Sequence, residues 1–139
     1  MNTLSADATK RLLMIQWLAM LAAVGAYYGL TYLVTGVAPP RNPQMKTVLS
    51  TLEILAAVAF VSGIVLEGLL LARAANPQNV VTSGMVSAAF GESIAVFGLV
   101  WFFMSHERVW EFTAVSVLYF VRLFLKLPDF SARIDTLSR

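Results

Sequence analysis

The chain has 139 residues, of which 58% are hydrophobic and only 13% are charged, with a net charge of +2. An ordinary soluble domain carries about 25% charged residues, so this composition excludes a soluble domain and indicates a membrane protein. The length indicates a single membrane domain over residues 1–139. The lack of cysteine and the single histidine, His106, exclude disulfides, thiolate chemistry and a histidine metal site, and we expect no cofactor and no nucleic-acid partner.

The first membrane span is predicted over about residues 11–35. Its core, residues 12–34, contains no charge, and about 20 such residues cross the hydrocarbon of a bilayer. Ser5 or Asp7 ahead of it is a candidate helix cap. A signal peptide has a shorter apolar core, so we interpret the run as a retained membrane helix.

Three further spans are predicted at about residues 48–73, 80–104 and 108–127. A loop rich in proline, residues 36–46, separates the first two spans, and short polar turns separate the others. Basic residues interrupt the end of the fourth span, so a tilted or partly interfacial helix is the alternative there. The sequence therefore predicts an all-α, four-helix integral membrane bundle, followed by a polar tail at residues 129–139 that we expect to be exposed to solvent.

The basic residues are distributed unevenly between the two ends of this bundle. Four spans place both termini and the turn after the second span on the same side. Seven of the ten Lys and Arg residues belong to that side: Lys10, Arg11, Arg73, Arg122, Lys126, Arg133 and Arg139. An excess of Lys and Arg marks the cytoplasmic side, so we expect cytoplasmic termini and a multi-pass location in the cell inner (cytoplasmic) membrane. Trp17 and Trp110 are candidate anchors at the two membrane interfaces.

Small residues recur at helical spacing in the third span, with glycine at every seventh position. Such a stripe lets helix backbones approach closely in lipid. We expect it to be a packing face; the alternative is that alanine and glycine are simply common in membrane helices. The fourth span has no glycine and is expected at the edge of the bundle. The stripe consists of Gly84, Ala88, Gly91, Ala95 and Gly98.

Glu92 is the main candidate functional residue. It lies near the middle of the third span, and the nearest charges along the chain are Arg73 and Glu107. A charge at this depth is costly, and ionisable residues inside a membrane often belong to ion or proton pathways. A carboxyl group shielded from water is protonated much of the time and can release and recover that proton. Ser93 next to Glu92 is its expected companion in proton binding, and the candidate partners on other helices are Ser62, Tyr27, Tyr28 and Arg122.

Arg122 in the fourth span has two interpretations. It either pairs with Glu92 and holds that acid ionised, or it extends along the helix to the cytoplasmic headgroups. Glu67, near the end of the second span, is interpreted as an interfacial acid that water or Arg73 satisfies, and Glu53 near the other end as a similar one.

The second and third spans together resemble the c subunit of rotary F-type and V-type ATP synthases, over about residues 60–104. The matching pieces are Leu66-Glu67-Gly68, Ala72-Arg73, Asn76-Pro77, and the run from Ser87 through Gly91-Glu92-Ser93 and Phe97-Gly98-Leu99 to Val100. The resemblance implies a cytoplasmic turn and Glu92 as the ion-carrying residue. Apolar residues stand where sodium-binding members carry ligands, which favours a proton. The second span has only Gly63 and Gly68 where that family has a dense glycine ladder.

Two functions therefore remain open. The first is a diverged four-helix relative of the c subunit that binds or translocates a proton through Glu92 within a homo-oligomer. The second is a non-catalytic structural or accessory subunit of a larger membrane complex, in which Glu92 only forms a buried hydrogen bond. Both imply a lipid bilayer as a partner, together with either further copies of this chain or other membrane subunits. The sequence contains no nucleotide-binding or catalytic motif, so we do not expect an enzyme.

Overall fold

The structure, a computed structural model described over residues 5–34, 43–107 and 110–138, is helical throughout, and the all-α prediction is confirmed. Its helices are α1 (Ala6–Leu33), α2 (Pro43–Ala72), α3 (Pro77–Ser105), α4 (Trp110–Leu125) and α5 (Leu127–Leu137). Three of these, α1, α2 and α3, are long and apolar enough to cross a membrane. The predicted loop over residues 36–46 lies largely outside the described residues, and its last four residues already belong to α2.

Local sequence determines where the helices begin and end. Ser5, one of the two predicted caps, accepts a hydrogen bond from the backbone N–H of Ala8 at 3.3 Å. Asn76 caps α3 in the same way, and Pro77 occupies the first turn, where a missing N–H costs nothing. His106 ends α3 with a left-handed φ of 55°, a common way to terminate a helix.

The central helix is α3, against which each of the other four helices packs. Its glycines accommodate aromatic side chains. A methyl group added at Gly91 would lie 2.8 Å from Tyr119, and one added at Gly98 would lie 2.8 Å from Phe112. At Gly84 the neighbours are Leu13, at 2.6 Å, and aromatic rings of α1 and α5. The stripe thus receives side chains, whereas we had expected it to bring helix backbones together.

The bulky side chains of α4 pack against these glycines. Phe112, Ser116, Tyr119 and Leu123 recur at spacings of four, three and four residues and are all buried, so they form one face of the helix. That face packs against α1, α2 and α3. The prediction that the fourth span lies at the edge of the bundle is therefore wrong, because its large side chains fill the space that the glycines leave.

The prediction that residues 129–139 form a solvent-exposed tail is also wrong. Residues 127–137 form α5, on which Phe130 and Ile134 are completely buried. These two residues are four positions apart and therefore lie on the same face of the helix. Asp135 forms an ion pair with Lys10 of α1 at 2.7 Å, and Arg133 donates to the carbonyl of Ala74 at 3.1 Å. Helix α5 thus covers the end of the bundle that carries most of the basic residues, which we call the basic end.

Trp17 is part of this contact and is not the interface anchor that the sequence suggested. It is completely buried, and its indole N–H donates to the carbonyl of Gly84 at 3.1 Å. Its ring packs edge-on against Phe130 and Phe124, at centroid distances of 5.3 and 5.7 Å. Trp110, at the opposite end, is 61% exposed.

We expect the Gly63→Ala substitution to destabilise the bundle by about 1–3 kcal/mol, the usual cost of overpacking. The new methyl group would overlap the hydroxyl of Tyr119, which is completely buried, and lie 2.8 Å from Phe90 Cβ. Reversible unfolding of the full chain in detergent micelles measures this change. Gly68→Ala is the matched control in the same helix, since no atom lies within 4 Å of its added methyl group. Equal losses of stability in the two variants would contradict this packing.

Candidate functional site

Glu67 is the most deeply buried charge of the described chain, with 1% of its side chain exposed. Arg122 of α4 donates to both of its carboxylate oxygens, at 2.8 and 3.0 Å, which is the strong two-pronged geometry of arginine and carboxylate. Lys126, in the turn between α4 and α5, lies 3.2 Å from the same carboxylate. The interpretation of Glu67 as an interfacial acid satisfied by water or Arg73 is therefore wrong.

Two hydroxyl groups complete the surroundings of this carboxylate. Ser87 Oγ donates to Glu67 Oε2 at 2.7 Å, and the hydroxyl of Tyr119 lies 2.8 Å from Ser87 Oγ. Because a serine hydroxyl has one proton, and Ser87 gives it to Glu67, Tyr119 is the donor to Ser87. We call these five residues, Glu67, Ser87, Tyr119, Arg122 and Lys126, the Glu67 network.

The Glu67 network joins three helices at one point near the basic end. Glu67 comes from α2, Ser87 from α3, Tyr119 and Arg122 from α4, and Lys126 from the turn that follows α4. A charge buried in this way is stable only when partners satisfy its oxygens, and removing a partner is costly. Arg122 is committed to Glu67, so neither the predicted pairing with Glu92 nor its extension to the headgroups occurs.

Glu92 has quite different surroundings. It is half-buried at the middle of α3, and the hydroxyl of Tyr27 on α1 donates to its Oε1 at 2.6 Å. Among the ion pairs of the described residues, none includes Glu92. This acid therefore has a hydroxyl partner on a neighbouring helix and no cation.

Of the predicted partners of Glu92, Tyr27 is the one that the structure places in contact with it. Ser93 Oγ donates to the backbone carbonyl of Ala89 at 2.8 Å. The hydroxyl of Tyr28 lies 3.0 Å from that of Tyr32. Ser62 forms no hydrogen bond with Glu92 within the described part of the chain.

A small cavity continues from Tyr27 away from the basic end. Its volume is about 10 Å³, which is close to the space that one water molecule needs. Four of the residues that line it carry hydroxyl groups: Tyr27, Tyr28 and Thr31 on α1 and Thr113 on α4. The cavity thus lies between the partner of Glu92 and the end of the bundle opposite the basic end.

No external comparison assigns a role to these residues. Known protein families, curated proteins and solved structures contain no match to this chain. The resemblance to the c subunit therefore stays a prediction that depends on residues 60–104. Within the described residues, no group of three or more His, Asp or Glu side chains could hold a metal ion.

We expect the members of the Glu67 network to be energetically coupled. Removing one side of a buried ion pair leaves an unpaired charge, so Glu67→Gln and Arg122→Gln should each cost about 3 kcal/mol or more. The double variant should cost clearly less than the sum, because it leaves neither charge alone. The loss of stability in each of the three variants is measured from the unfolding free energy of the full chain in micelles.

Glu53→Gln is the matched control for this experiment. Glu53 is an exposed acid on the same helix, and most exposed substitutions change stability by less than about 0.5 kcal/mol. Additive losses in the double variant would show that Glu67 and Arg122 do not stabilise the bundle as a pair.

Proposed function

We propose that this chain is a four-helix membrane protein with cytoplasmic termini that binds a proton at Glu92. Three apolar helices of sufficient length support a multi-pass arrangement. Helix α4 has 16 residues and a length of about 24 Å, which is shorter than the roughly 30 Å hydrocarbon core, so as a fourth span it would thin the bilayer around it. The basic side chains of Lys10, Lys126 and Arg133 at one end support a cytoplasmic location of that end.

The contrast between two acids in one bundle carries this proposal. Glu67 is fixed by two cations and a serine, so its charge is used to hold helices together. Glu92 lies at mid-helix with a tyrosine as its only hydrogen-bond partner among the described residues. An acid in the middle of a membrane that is not part of an ion pair is the arrangement that proton pathways use.

The hydroxyl of Tyr27 can form a hydrogen bond with both the ionised and the protonated form of Glu92. A phenol donates to a carboxylate and accepts from a protonated carboxyl group, so Glu92 keeps a hydrogen bond when its proton arrives or leaves. The water-sized cavity that Tyr27 lines lies toward the opposite end of the bundle, where a water molecule could take up or supply that proton. The resemblance of residues 60–104 to the c subunit implies the same role for Glu92.

We expect dicyclohexylcarbodiimide, which reacts with protonated carboxyl groups in apolar surroundings, to label Glu92 and not Glu67. Mass spectrometry of the modified full-length chain locates the label, and labelling should weaken as the buffer becomes alkaline. Glu92→Gln should abolish this labelling. Tyr27→Phe should change its pH dependence, because the hydroxyl that stabilises the carboxylate is lost. Failure to label Glu92 at any pH, together with normal assembly of Glu92→Gln, would contradict proton binding.

A second candidate function is that of a structural or accessory subunit. The specific observation that favours it is the filling of the glycine stripe by the chain's own aromatic residues, such as Phe112 at Gly98 and Tyr119 at Gly91. A stripe occupied in this way has no room for the helix of a second copy, unlike the close helix contacts that build a ring.

Under this alternative, native mass spectrometry of the complex purified from membranes should find one copy of the chain beside unrelated subunits. The Glu92→Gln variant should then assemble normally and remain functional. Recovery of a ring that contains only this chain would contradict the accessory role.

A further inference from the structure

A second candidate site lies in the half of the bundle away from the Glu67 network. A half-open cavity of about 490 Å³ separates α2 from α4, and α3 contributes to it through Ile94. Glu92 does not line it. Its volume is within the range of small-molecule sites, which is about 300–1,000 Å³.

The packing of α2 and α4 explains why the cavity exists. These helices contact each other through Glu67 and Arg122 and, further from the basic end, through the edge-on rings of Phe60 and Tyr119 at 5.3 Å. The cavity lies between them, and its lining extends from Val61 and Leu118, nearest the basic end, to Glu53 and Glu111, furthest from it.

Two acidic residues, on different helices, are among those that line this cavity. Glu53 of α2 and Glu111 of α4 both line it, and neither forms an ion pair in the described part of the chain. On each helix an apolar lining residue lies seven positions after the acid, Phe60 on α2 and Leu118 on α4. At 1.5 Å per residue, the distance along the helix from the acid to this apolar residue is about 10 Å.

The lining identifies the chemistry of the occupant. The walls are otherwise apolar and include the aromatic rings of Phe60 and Phe112. Aromatic faces attract cations, and both charged residues that line the cavity are acids, which favours a positively charged occupant. An acyl chain of a lipid would fit the apolar part of the cavity but would form no favourable interaction with the two acids.

We propose that this cavity binds an amphipathic organic cation, with its apolar body between α2 and α4 and its charge next to Glu53 and Glu111. The site does not involve proton exchange at Glu92, so either proposal can fail without the other.

The test is equilibrium dialysis of the full-length chain in detergent micelles with tetraphenylphosphonium, corrected for uptake by empty micelles. Tetraphenylborate, which has the same shape and the opposite charge, is the matched ligand. We expect tetraphenylphosphonium to bind and the Glu53→Gln/Glu111→Gln double variant to lose on the order of tenfold or more in affinity. Tetraphenylborate should bind more weakly than its cationic counterpart to the unmodified chain.

Two further variants make the result decisive. Glu107→Gln removes an exposed acid that does not line the cavity and should leave binding unchanged. Ala57→Phe places a ring in the cavity and should abolish binding while circular dichroism shows intact helices. Equal binding of the two ions, which would indicate a purely apolar site such as one for an acyl chain, overturns the proposal. Unchanged affinity in the double variant or in Ala57→Phe overturns it as well.

Discussion

The ion pairs of Glu67 with Arg122 and Lys126 set the geometry of the bundle. A carboxylate with 1% exposure is tolerated because two cations and the hydroxyl of Ser87 satisfy it, and those partners come from α3, from α4 and from the turn that follows α4. The network therefore fixes α2, α3 and α4 relative to one another near the basic end. The cavity between α2 and α4 lies further from that end, where its lining includes Glu53 and Glu111.

Tyr119 connects this polar network to the packing of the apolar helices. Its ring lies over Gly91 of α3, and its hydroxyl passes Gly63 of α2 to reach Ser87. The glycines of α3 thus do more than allow close contact, because they set the register in which α4 presents its aromatic residues. Once α4 is in that register, Arg122 faces Glu67 and leaves Glu92 to Tyr27. The position of α4 along α3 thus gives Glu67 a cation as its partner and Glu92 a tyrosine hydroxyl.

The sequence predicted the helices well, because apolar runs and their polar breaks determine where helices occur in lipid. It also predicted Tyr27 as a partner of Glu92. It missed the pairing of Arg122 with Glu67, although the predicted spans, which end at residues 73 and 127, place them about 9 and 8 Å from the basic end at 1.5 Å per residue. Similar depth was the available signal, but depth does not indicate which way a side chain faces. Similarly, the spacing of Phe130 and Ile134 is visible in the sequence, yet their burial depends on Trp17, which is more than a hundred residues away.

Glu67 holds helices together, and we propose that Glu92 exchanges a proton. Infrared difference spectroscopy of the reconstituted chain distinguishes these roles, since the carbonyl band of a carboxyl group shielded from water is distinct from that of an exposed one. We predict a pH-dependent change in this band that disappears in Glu92→Gln and persists in Glu53→Gln. A change that persists in Glu92→Gln would assign the exchanging proton to another acid and contradict the account.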